Sequence, residues 1–153
     1  MEAYSSPTDA TGEYYNSIGV AAVGLVGRKY HRIVVCAQVV DVALPLSPAI
    51  MVLFTRHQGA AVASPSIEVD TDALHNAIYA LQVHQAETGQ APWARMDYVL
   101  TGTKMAVDHL YPDQFDPMSL DTMETARVLK AKWFPEAAAS EPRRGWISRI
   151  FGR

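Results

Sequence analysis

Two alternating runs, Met96-Asp-Tyr-Val-Leu100 and Lys104-Met-Ala-Val-Asp-His-Leu-Tyr111, flank Gly102-Thr103 and constrain the fold more than any other stretch of the chain. Successive side chains of a strand point to opposite faces, so alternation of this kind marks strands whose two faces differ. A hairpin turning at Gly102-Thr103 pairs Thr101 with Lys104, Tyr98 with Val107 and Met96 with His109. It gathers Met96, Tyr98, Leu100, Met105 and Val107 on one face, and a slip of one residue would mix the faces. The same register sets Asp97 opposite Asp108 on the hairpin's outer face. Like charges facing one another are destabilising unless something compensates. Arg95 and Lys104 are diagonal neighbours that could do so internally, and a basic partner is the alternative.

The remaining elements follow from periodicity. Tyr14, Ile18, Ala21, Ala22 and Leu25 recur at helical spacing, which predicts a helix from about Thr11 to a stop at Gly27, although Gly19 and Gly24 weaken it. His31-Arg-Ile-Val-Val-Cys-Ala-Gln-Val-Val-Asp41 is β-branched and continuously apolar, as expected of a strand covered on both faces. Ala49–Thr55 reads as a second strand, and Ala60–Ser64 as a short third one. A helix capped by Asp70 or Thr71 carries Leu74, Ala77, Ile78, Leu81 and Gln85 on one face and leaves through Gly89. Its opposite stripe, Tyr79, Val83 and Ala86, suggests a helix wedged between layers, with a partner surface as the alternative. Asp116 and Pro117 can begin a last helix with Met123, Ala126, Leu129, Lys130 and Trp133 inward, closed by Pro135. The expected architecture is α+β, one antiparallel sheet of about four strands with helices packed on it, in the order α-β-β-α-β-β-α. Residues 1–10 read as a loose leader, 11–135 as the domain, and 136–153 as a linker with a basic amphipathic tail.

A chain of 153 residues, nearly half of them apolar, suits one domain with its own core. No apolar run is long enough to span a membrane and the N-terminus shows no secretory signal, which implies a cytoplasmic protein. The single cysteine, Cys36, lies in an apolar strand and reads as a small core residue. From Pro135 onward two acids and four arginines give a net +2 within a chain of net −3, leaving −5 on the rest. An acidic body argues against nucleic acid as a direct partner, since phosphate binding needs clustered Lys and Arg.

Motifs for catalysis are missing. Gly19–Gly24 lacks the spacing of a phosphate loop, and no serine stands in a nucleophile elbow. His75 and His84 fall about 180° apart around one helix at 3.6 residues per turn, so they do not pair on a metal. His31 and His57 sit at strand ends, and His109 reads as a satisfied core histidine. The expectation is a protein that is not an enzyme and carries neither metal nor cofactor.

The corner between helix and hairpin is the most specific stretch. Glu87-Thr-Gly-Gln-Ala-Pro-Trp-Ala-Arg-Met-Asp-Tyr-Val-Leu100, followed by Lys104-Met-Ala-Val-Asp108 and Tyr111, resembles the YezG-like immunity (antitoxin) family. In that family a long helix ends in Gly-Gln-x-Pro-Trp, and a strand, a Lys-x-x-x-Asp strand with an aromatic, an acidic loop and a final helix follow. The likeness covers roughly residues 12–135, with Asp113, Asp116 and Trp133-Phe134 as the last matched parts; the arginine tail has no counterpart. It implies a small cytosolic binder that neutralises one cognate toxin domain, commonly a nuclease and therefore basic. Trp93, Asp97, Asp108, Tyr111, Asp113 and Asp116 are the partner-binding candidates. Trp93 has two readings, a core plug over the helix end or a partly exposed aromatic anchor. Rival functions are a secretion adaptor or chaperone for an effector, and a small enzyme of unrecognised chemistry. In the tail, Trp146, Ile147, Ile150 and Phe151 would share one side of a helical turn, so docking on the chain's own acidic body, contact with a partner and weak attachment to an anionic membrane are further readings beside a frayed terminus.

Overall fold

A computed structural model describes residues 7–39, 48–66, 68–114 and 122–137. Helix α1 (Pro7–Val26) is followed by strands β1 (Arg32–Gln38) and β2 (Ala49–Thr55), helix α2 (Asp72–Glu87), strands β3 (Arg95–Thr101) and β4 (Lys104–Leu110), and helix α3 (Thr122–Trp133). The four strands form one antiparallel sheet in the order β2-β1-β3-β4. The expected α+β order is therefore the observed one, and so is the hairpin register, with Thr101 opposite Lys104, Tyr98 opposite Val107 and Asp97 opposite Asp108.

The sheet separates two cores. On one side, Ile33, Val35, Ala37, Val52, Phe54, Met96, Tyr98 and Leu100 meet Ile18, Ala22 and Val26 of α1 and Leu74, Ile78 and Leu81 of α2. On the other, Val34, Cys36, Leu53 and Val99 meet Leu129 of α3 with Phe134 and Ala137 beyond it. This explains the unbroken apolarity of β1, whose residues 33–37 are all buried. Both cores draw on alternate residues of the same strands, which is what a period of two demands when each face has a cover.

The helix ends follow local chemistry. Gly27 at φ +96°, Gly89 at φ +82° and the hairpin's Gly102 at φ +62° occupy backbone conformations that glycine adopts without a Cβ clash. Asp70 accepts a bond from the amide of Asp72 through Oδ1 at 2.9 Å, while Thr71 occupies the cap position without a side-chain bond. Gly19 has a different purpose: a Cβ there would lie 2.6 Å from the Tyr98 hydroxyl, so the glycine that weakens α1 as a helix allows α1 to sit against β3.

Several expectations are corrected. Helix α1 begins at Pro7, within the stretch read as leader. The third strand reduces to one bridge, Ala63 with Phe54. Tyr79 (46 % exposed), Val83 and Ala86 face outward, so α2 is covered on one side only and is not wedged between layers. The inner face of α3 is Thr125 and Leu129, with Trp133 half-buried, whereas Met123 is 83 % exposed. Ala137, expected in the linker, is buried in the second core. The proposed Asp116 cap, most of the leader and the Arg143–Arg153 tail lie outside the described residues.

Candidate functional site

Trp93 closes the corner from within. It is 4 % exposed, its Nε1 donates to Gln85 Oε1 at 2.9 Å, and Gln85 Nε2 donates to the Tyr15 hydroxyl at 3.4 Å. Pro92 is exposed, so the proline shapes the turn while the indole ties the end of α2 to the hairpin. The plug reading of Trp93 fits this environment. An anchor at a partner surface does not, because the ring has no face left to offer.

Asp97 is also inside. It is 2 % exposed beneath α3, so the face read as outer is an interior one. The Arg95 guanidinium donates to both carboxylate oxygens, each at 2.8 Å, and Trp133 Nε1 donates to Oδ2 at 2.9 Å. Lys132 stands 3.6 Å from the same oxygen and pairs with Asp108 at 2.5 Å. The two opposed aspartates thus share one lysine from α3, and the compensation is internal. Burial pushes the Asp97 carboxyl up, but the Arg95 fork, the Trp133 indole and the charge of Lys132 outweigh it and hold the group below the usual carboxylate range. Arg32 extends the seam by donating to the backbone carbonyl of Trp133 and, through Nε at 2.9 Å, to Thr101 Oγ1. At the far end Gln38 donates to Thr125 at 3.4 Å. Arg95 was legible as a neighbour of Asp97; Lys132 and Trp133 were not, since no sequence spacing connects them to β3.

Of the other candidates, Asp108 keeps 45 % of its side chain exposed, Tyr111 is 37 % exposed, and Asp113 is exposed in the turn that follows. That turn closes on itself: Gln114 Oε1 accepts from the Tyr111 amide at 2.9 Å and the Gln114 amide donates to the Tyr111 carbonyl at 2.7 Å. Tyr111 leads inward through His109 (ring centroids 6.3 Å apart) to Trp93 (5.9 Å). Among the described residues His109 Nε2 is buried without a hydrogen-bond partner, which corrects its reading as a satisfied histidine; burial lowers its pKa against the opposing pull of Asp108 and Asp97. Cys36 is core, its thiol pushed up to about 12 by burial and by the Asp97 charge, with Arg95 opposing.

On the α1 side an open groove of about 810 Å³ runs between α1 and the hairpin, with Val20, Val23, Leu100 and Met105 along it and Arg28 at one end. Val20 is 67 % and Met105 46 % exposed. Among the described residues no three His, Cys, Asp or Glu side chains converge as metal ligands, and no helix is long and apolar enough to cross a membrane. No protein-family model and no curated protein sequence matches the chain.

Proposed function

We propose that this protein is a cytoplasmic immunity protein that neutralises a cognate toxin domain by binding it, without catalysis. The observation that carries the reading is the placement of the resembling block. Its corner and hairpin are fixed by Trp93 and by the Arg95–Asp97–Trp133 seam, and Asp108, Tyr111 and Asp113 are left at the surface just beyond them. A rigid base presenting an aromatic and acidic edge suits a basic partner, because complementary charge speeds encounter and a fixed aromatic loses little entropy on binding. Trp93 and Asp97 serve this surface only from behind, as positioning residues.

The test is co-expression with the product of the neighbouring gene, followed by co-purification and survival of cells producing that product. The expected result is a stable complex and protection. Tyr111→Ala and Asp113→Asn should each weaken binding, the latter mainly at low salt and with the urea midpoint unchanged. Complex formation without protection would instead favour the adaptor reading, and wild-type affinity in both variants would remove this surface from the interface.

A further inference from the structure

The two edges of the sheet are not treated alike. At β2, Phe54 exchanges two 2.9 Å backbone bonds with Ala63, and Pro48 precedes the strand. Strand β4 has neither device: among the described residues only β3 pairs with it, and it contains no proline. Among the described residues nothing else pairs along this edge, and an edge of that kind is a template for another strand.

Its bonding parity can be read from the ladder. The Gly102 amide donates to the His31 carbonyl at 3.3 Å and the Val39 amide to the Ala94 carbonyl at 2.8 Å, while Ala94, which precedes β3, turns its own amide to the Leu110 carbonyl at 2.7 Å where the β3–β4 ladder ends. Even-numbered residues of β3 therefore bond toward β1 and odd-numbered ones toward β4. Within β4, Lys104, Ala106, Asp108 and Leu110 turn their amides and carbonyls inward to β3. Met105, Val107 and His109 turn theirs outward.

We infer that β4 is the contact between two copies of this chain, paired antiparallel about a two-fold axis at Ala106. Because only Met105, Val107 and His109 bond outward, the axis can fall only at one of the five residues from Met105 to His109. At Asp108 the two aspartates would oppose each other. At Met105, Val107 or His109 the charged side chains would face neutral residues. At Ala106 each Lys104 lies opposite Asp108 of the second copy and brings a second cation to an aspartate that already pairs with Lys132 through Oδ2, giving two cross-strand ion pairs on the α3 side. On the α1 side each Met105 lies opposite Val107 of the second copy, covering part of the apolar strip that Met105 and Val20 leave exposed. Four backbone bonds, between Met105 and Val107 of each copy, complete a closed eight-stranded sheet assembly of the isologous kind. This inference goes beyond the immunity reading and does not rest on it.

Sedimentation of the full chain at low salt tests it. Wild type should be a dimer. Lys104→Asp and Asp108→Lys should each weaken self-association about tenfold or more, because each sets two like-charge pairs across the axis. Mixing those two variants should restore a one-to-one heterodimer, since each new charge then meets its opposite. Met105→Pro deletes one outward amide and no bond to β3, so it should yield a monomer with the wild-type circular dichroism and urea midpoint. A wild-type monomer at every concentration, a dimer that survives Met105→Pro, or a mixture that stays monomeric would overturn the proposal.

Discussion

Replacing Asp97 by Asn changes one oxygen to nitrogen at a site 2 % exposed. The carboxylate accepts two bonds from Arg95 and one from Trp133 and faces Lys132 at 3.6 Å. An asparagine keeps one acceptor and turns an amide group toward donors. Hydrogen bonds to charged groups contribute roughly 1.5–3 kcal/mol each, and removing one partner of a buried ion pair costs about 3–5 kcal/mol. The loss should fall in that second range at pH 7, read as a fall in the urea midpoint at constant m-value. The cost has a defined pH dependence. The folded carboxyl titrates below its unfolded value, so its contribution is fully present above about pH 4 and is lost as pH falls through the folded pKa. Wild type and Asp97→Asn should therefore converge in acid. A loss under about 1 kcal/mol at pH 7, or a gap that does not narrow in acid, would refute the view that this carboxylate holds α3 to the sheet.

Gly19→Ala should destabilise by about 1–3 kcal/mol because its Cβ would meet the Tyr98 hydroxyl at 2.6 Å, and Tyr98→Phe in the same chain should recover part of that loss in thermal unfolding. Trp93→Phe should cost about 1–3 kcal/mol by leaving the Gln85 carbonyl oxygen buried without its donor, measured by urea denaturation. Cys36 should resist thiol reagents at pH 8 in the native protein and react on unfolding, as expected of a thiol held near 12 and sealed in the second core.

The hairpin register and element order were legible because each rests on local alternation or on a glycine at a fixed place, and a shift of one residue would have reversed every face. The cover over Asp97 was not. Whether a sheet face meets water or a helix is a question about residues far apart in sequence, here Asp97 and Lys132-Trp133. An apolar helical template also misplaced α3, choosing Met123 for the interior and missing Thr125, because part of the surface that α3 buries against is polar. For the same reason the partner candidates split. Asp108, Tyr111 and Asp113 lie at the surface, whereas Trp93 and Asp97 became scaffold once the chain closed around them.

The unequal linings of the sheet give the molecule two modes of coming apart. Helices α1 and α2 adhere through a wide carbon surface, whose strength changes with temperature and responds little to protons. Helix α3 adheres through a smaller apolar patch and a seam of ion pairs, which protons can dismantle at room temperature. Below about pH 4, as the Asp97 carboxyl takes up its proton, the amides beneath α3 should become open to hydrogen exchange while those beneath α1 remain closed, a partly opened form in which Cys36 is uncovered from one side.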